Sequence, residues 1–337
     1  MPQPEVSVLL PFYNAATTLE ETLHSILQQS LPHFELVAVD DGSSDHSAEI
    51  IKKLDDPRIR LIELPENRGV AAASNAGIEQ ARSDLIARMD ADDRMAPTRL
   101  EKQVAFMRHN PQCAVVASQV SLFPKERITD GFQRYIDWQN SCLTAQQIAD
   151  EIYWEAPLAN PSTLFRKEIV MPLGGFLDGP FPEDYELWLR LHAHGHTMVK
   201  LPEVLLEWRD HEQRLTRTHS RYTREAFDQV RADYLARDAR LHQGRPLAIW
   251  GTGRPTRRRV DRLLAHGHHP ALWVEINPRK IGNQWLGAPI IAPAQLAEQQ
   301  PKPFVLSYVT AHGAREEITA QLRQMGFQAG EDYLMVG

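Results

Sequence analysis

The sequence predicts an α/β protein built on a mostly parallel sheet with helices on both faces, followed by a small second α/β domain. Three observations carry this. Short runs of Val, Leu and Ile alternate with segments whose apolar residues recur at helical spacing. The runs are continuously apolar, as strands covered on both faces require. The same alternation starts afresh near residue 246.

Val6–Leu10 reads as the first strand, stopped by Pro11. Thr17 or Thr18 can cap a helix with Glu20 and Glu21 in its first turn and Leu19, Leu23, Ile26 and Leu27 on one face. Phe34–Val39 is the next strand and Asp40–Asp45 its exit loop, before a helix through Ile50, Ile51 and Leu54. Arg60–Leu64 is a third strand, and an Ala-rich helix over 71–81 leads to a fourth at 84–88. A helix past Pro97 carries Leu100, Val104 and Met107 towards a strand at 114–117. Residues 123–155 show no clear period and read as an irregular, aromatic-rich cover. A helix begins at Glu183, a strand-like run covers 203–207, and Ser220–His242 fits one helix. Strands at 246–250, 271–276 and 304–309, with helices through Val260 and over 314–325, complete the chain. The domains expected are 1–215, a helical linker 216–244, and a Rossmann-like 245–337.

The bulk numbers narrow the function. At 337 residues two domains are expected. A net charge of −7 argues against nucleic acid held by bulk electrostatics. Cys113 and Cys142 form no CxxC, and the N-terminus has no signal-peptide pattern, so a reducing cytoplasm is expected. No apolar run approaches the ~20 residues of a membrane span, which leaves peripheral attachment at the inner face of a membrane open.

The chemistry is expected where strands end, because ligands of open α/β sheets sit outside the carboxyl ends. Asp90, Asp92 and Asp93 follow the fourth strand directly. Buried charge is expensive unless it is paired or holds a metal. An Asp-x-Asp there suits a hard divalent cation that shares substrate phosphates, although a solvated acidic turn has the same composition. In Asp40-Asp41-Gly42-Ser43 one Asp can shape the loop while the other accepts hydrogen bonds from a base or ribose. Arg68, at the third such junction, is placed to reach a pyrophosphate.

Pro11-Phe12-Tyr13-Asn14, Val39-Asp40-Asp41-Gly42-Ser43, Asn67-Arg68-Gly69, Ser74-Asn75-Ala76-Gly77 and Asp90-Ala91-Asp92-Asp93 stand in the order typical of family 2 glycosyltransferases with the GT-A fold, which the chain resembles over about residues 4–215. The resemblance implies a GT-A nucleotide-diphospho-sugar transferase fold. Tyr13 and Asp41 would contact the base, Pro11 and Asn14 would line its pocket, and Arg68 and Asn75 belong to the same donor motifs. Asp90 and Asp92 would serve the ribose, the phosphates and a Mn2+ or Mg2+ ion, with Asp93 close by. Glu183 and Asp184 match the family's acidic pair, in which Glu183 counts among the nucleotide-sugar-binding residues and Asp184 takes the place of the catalytic base; capping the helix is the structural alternative. His211, in Trp208-Arg209-Asp210-His211, stands where relatives carry a histidine near the metal, and a packing role is the alternative. Asn160-Pro161-Ser162 replaces the usual His-Pro-Ser, a departure on the acceptor side.

The activity so implied is an inverting transfer from a nucleoside-diphosphate sugar to a hydroxyl of a glycan, a lipid-linked intermediate or a small molecule, in cell-envelope polysaccharide or glycoconjugate synthesis. Two other readings compete: an inactive sugar-nucleotide-binding regulatory subunit, and an NAD(P)-linked enzyme working through the C-terminal domain. Gly251-Thr252-Gly253 resembles a dinucleotide turn and Glu275 lies where a ribose-binding acid would, but Thr256 replaces the third glycine. Self-association is left open.

Overall fold

The structure is a computed structural model and describes residues 3–311 and 313–337. The chain forms two compact units. One runs up to Ala145 and includes Pro157–Tyr222; the other joins Gln146–Ala156 to Thr223–Gly337.

The first unit is built on β1 (Val6–Phe12), β2 (Phe34–Asp40), β3 (Ile59–Glu63), β4 (Leu85–Arg88), β5 (Arg94–Met95), β6 (Cys113–Phe123), β7 (Leu164–Arg166) and β8 (Thr197–Arg209). Among the described residues these lie in the order β3-β2-β1-β4-β7-β6-β8-β5. β1 is parallel to β2 and β4, and β2 to β3. β7 runs antiparallel to β4 and β6, whereas β6 and β8 are parallel. The chain steps outward from β1 to β3, then returns to the other side of β1 with β4. That reversal opens a crevice at the carboxyl ends of β1 and β4.

Pro11 does not stop β1 as expected, since the strand continues to Phe12. The Leu9 carbonyl accepts from Met89 on the β4 side and the Phe12 carbonyl from Asp41 on the β2 side. Pro11 shares the parity of Leu9, so its missing N–H points to the β4 side, where the ladder has already ended at Leu9↔Arg88.

Helix Val70–Gln80 shows why small residues matter here. A Cβ on Gly77 would collide with Leu9 and Val39, so the helix rests on β1 and β2 closer than any side chain permits. Glycine in a helix costs ~1 kcal/mol, and this close packing is the compensation. Val8, Leu10, Leu36 and Ala38 share one core with Leu100 and Val104 of helix Arg99–His109.

Residues 123–155, expected to be irregular, contain helices Asp130–Ser141 and Ala145–Glu151. The Thr129 hydroxyl caps the first by accepting from Phe132 N. The single helix expected over 220–242 is broken into a 3-10 turn at Ser220–Tyr222, a helix Arg224–Leu235 capped by Thr223, and a 3-10 turn at Ala239–His242. The caps at Thr223 and Asp238 interrupt the apolar period that suggested one helix.

The second unit carries β9 (Leu247–Trp250), β10 (Leu272–Val274), β11 (Gln284–Trp285), β12 (Ala288–Ile291), β13 (Phe304–Ser307) and β14 (Tyr333–Met335). Their order is β11-β12-β10-β9-β13-β14, parallel from β12 to β14. Ala248, Trp250, Val274 and Val305 pack against Ile318 and Leu322 of helix Ala314–Gln324. Glu275 is already engaged: Thr252 and Lys280 donate to Oε2, and Ile276 N and Asn277 N donate to Oε1. Among the described residues no helix is long and apolar enough to cross a membrane.

Candidate active site

The crevice floor is made by loops that brace one another. Asn14, with φ of +50°, accepts from Ser44 N at 2.8 Å and donates its own N–H to Ser43 Oγ at 2.9 Å. Asp40 Oδ1 accepts from Ser43 N at 2.9 Å. Asp41 takes the N–H groups of Arg68 and Gly69, one on each oxygen, both at 2.8 Å. Both aspartates therefore shape loops. Gly42, with φ of +71°, lets these loops meet, because a Cβ there would lie 2.6–2.8 Å from the Glu66–Asn67 backbone. Pro11 is buried beneath, while Tyr13 and Arg68 are exposed at the rim.

Asn75 acts as a strut. Its Nδ2 donates to Phe176 O at 2.8 Å and its Oδ1 accepts from Phe176 N at 2.9 Å. On the other side, Arg190 donates to the carbonyls of Leu173 and Gly175, at 2.6 and 2.7 Å, and is held by a buried ion pair with Glu186. The turn at 173–176 is thus clamped between helix Val70–Gln80 and helix Glu183–Ala193.

At the end of β4, Asp90, Asp92 and Asp93 bring one carboxylate oxygen each within 4.8 Å of one another. Arg88 pairs with Asp90 at 2.7 Å. His211 Nε2 lies 2.8 Å from Asp92 Oδ2. Arg209 donates its N–H to Asp93 Oδ1 at 2.8 Å and its Nε to the Asp92 carbonyl at 2.6 Å. Asp93 is fully buried, and its Oδ2 has no hydrogen-bond partner. Burial, then the charges of Asp92 and Asp90, hold its carboxyl well above the usual range. An orphaned oxygen in a crowd of like charges is the environment a cation relieves. The residues therefore fit a hard divalent ion: Asp90, Asp92 and Asp93 would ligate it, with His211 on Asp92 as a further ligand or as the group that orients that carboxylate.

Arg214 lies 4.4 Å over the Trp208 ring and 5.3 Å over Phe132, and its charge acts on Asp90 and Asp93. The helix that starts at Glu183 supplies the acidic pair. Glu183 is buried, with Tyr222 Oη 2.7 Å from its Oε2 and 3.0 Å from its Oε1. Asp184 Oδ1 accepts from Tyr185 N at 2.7 Å. Burial, then the charge of Glu183, with a further contribution from Asp90, pushes Asp184 up to about 7. The charge of Asp90 is felt at Asp184, so the acidic pair and the aspartate cluster are near enough to act on one another. Motif reading gave no role to Arg88, Arg190 or Tyr222. Arg88 is signalled only by standing two residues before Asp90, Arg190 only by the i,i+4 spacing from its partner Glu186, and Tyr222 by nothing local.

A parallel-sheet crevice with braced loops and a carboxylate cluster at the switch point defines a GT-A glycosyltransferase. Residues 1–349 of TarS from S. aureus, solved in complex with UDP-GlcNAc, share this fold with a TM-score of 0.54 and 17% identity, over 69% of this chain and 72% of that one. The model of the family described as glycosyl transferase family 2 matches residues 7–174. The amylovoran biosynthesis glycosyltransferase AmsE of Erwinia amylovora is 32% identical over 210 residues, 60% of this chain and 75% of that one. The putative teichuronic acid biosynthesis glycosyltransferase TuaG of Bacillus subtilis is 40% identical over 126 residues, 37% of this chain and 50% of that one. The chain belongs to glycosyltransferase family 2.

Proposed function

We propose that this glycosyltransferase is inverting and moves a sugar from a nucleoside-diphosphate donor to a hydroxyl acceptor in cell-envelope polysaccharide or glycoconjugate synthesis. The observation that carries the mechanism is Asp184: its Oδ1 accepts from Tyr185 N at the start of the helix, and its carboxyl is raised to about 7. A base works best when its pKa lies near the operating pH. The acceptor oxygen attacks the anomeric carbon, its proton passes to Asp184 Oδ2, and the bond from that carbon to the diphosphate oxygen breaks in the same displacement. Attack from the face opposite the leaving group inverts the anomeric centre.

The braced loops of Pro11, Tyr13, Asn14 and Asp41 hold the nucleotide, and Arg68 stands at the rim for its phosphates. Asn75 supports the donor pocket through Phe176, and Glu183 holds the base side. A Mn2+ or Mg2+ ion held by Asp90, Asp92 and Asp93 would neutralise charge on the departing diphosphate. Homologues named for amylovoran and teichuronic acid biosynthesis support an envelope polysaccharide setting.

The test is Asp184→Asn. Loss of a positioned base lowers kcat by ~10²–10⁴-fold while donor affinity is kept. If donor binding falls together with turnover, Asp184 is a structural cap and the assignment is wrong.

A further inference from the structure

Adjacent carboxylates in one helix turn pose a selection problem, because either can serve as base and each disturbs the other. The structure treats the two very differently. Glu183 is 4% exposed, and both of its oxygens face the Tyr222 hydroxyl. Arg221 Nη1 stands 3.7 Å from Oε2, while Arg221 Nη2 is tied to Asp178 at 2.7 Å. Asp184 instead takes the backbone N–H of Tyr185 on its Oδ1. The charged and titratable groups that face the pair are therefore Tyr222, Arg221 with its partner Asp178, and Asp90.

We propose that Tyr222 is a positioning residue for transfer: its hydroxyl occupies Glu183 and so leaves Asp184 as the carboxylate that takes the acceptor proton. The inference rests on the base assignment made for Asp184. Tyr222 touches no reacting atom and acts through Glu183. With the hydroxyl in place, Glu183 is held beside Asp184, and its charge adds to the burial that raises the Asp184 carboxyl. Without the hydroxyl, Glu183 loses its principal hydrogen-bond donor and is free to swing away from Asp184 and compete for the crevice, which takes its charge from beside the base. Tyr222 itself has its ionisation pushed up by burial first and by the charges of Glu183 and Asp184 next, so it remains a donor throughout the working range.

The experiment is a double-mutant cycle on the full chain with Tyr222→Phe and Glu183→Gln, read as kcat, donor KM and the pH profile of kcat. Tyr222→Phe keeps the ring and its packing. The expected result is that each single variant lowers kcat roughly tenfold with donor KM little changed, and moves the acid limb of the profile to lower pH. The double variant should be no worse than Glu183→Gln alone, because the tyrosine then has nothing to act through. Additive losses, or a Tyr222→Phe variant with the wild-type pH profile, overturn the proposal. Asp184→Asn separates the two levels. If it retains transfer, the base assignment itself has failed. If it is inactive while the cycle is additive, only the role of Tyr222 is lost.

Discussion

Asp93→Asn should make the metal-free protein more stable, although Asp93 belongs to the aspartate cluster that fits a divalent ion. Asp93 is fully buried, one oxygen has no partner, and the oxygens of Asp90 and Asp92 approach within 4.8 Å. At that separation and an effective dielectric near 20, each pair of full charges repels by ~3 kcal/mol. Arg88 on Asp90 and Arg214 in the same field offset part of this, while burial and the neighbouring charges push the Asp93 carboxyl well above its usual range. What remains is on the order of 2 kcal/mol, similar to the ~1–3 kcal/mol of a buried group left unsatisfied. The asparagine carbonyl can still accept from Arg209 N, and its amide N–H groups can point at the two remaining carboxylates. The assay is thermal unfolding with and without Mn2+ and a nucleoside diphosphate. At ~2–4 °C per kcal/mol for a unit of this size, the metal-free variant should melt several degrees higher. It should also lose the ligand-dependent rise that mass action gives the wild type. A variant that melts lower without metal would mean that the Asp93 charge is compensated by its arginines, and the argument for a missing cation would fail.

Two further outcomes follow from the same geometry. Asp184 is raised from 3.8 to about 7, so the fold prefers its protonated form. Its contribution to stability is complete below the ordinary carboxylate range and is lost as pH rises through about 7, whereas transfer with Asp184 as the proposed base would need the ionised form and fall below that pH. Unfolding titrations should show this loss in the wild type and a flatter profile in Asp184→Asn; identical profiles would contradict the raised value. Asn75→Ala removes both side-chain bonds to buried Phe176, at 2.8 and 2.9 Å, and should cost ~1–3 kcal/mol, seen as a melting point several degrees lower. A variant that melts normally but binds donor poorly would make Asn75 a ligand contact rather than a strut.

What the sequence revealed and what it hid divide along one physical line. Strand ends, apolar periods and the turn chemistry of Asp40–Ser43 and Asp90–Asp93 are local, so the crevice and its acidic lip could be read directly. The partners that give those residues their state are remote: Tyr222 lies 39 residues from Glu183, Phe176 lies 101 from Asn75, and Arg209 lies 116 from Asp93. No period or spacing encodes such a pairing, and two of the three join a donor-site motif to a segment outside it. The broken helix at 220–242 has the same origin. Its apolar spacing is real, but Tyr222 is held on Glu183 while Thr223 caps the helix that follows, and a continuous helix through 222 and 223 would give up that cap. The motif residues therefore name the chemistry, and the distant clamps decide which of two neighbouring carboxylates can perform it.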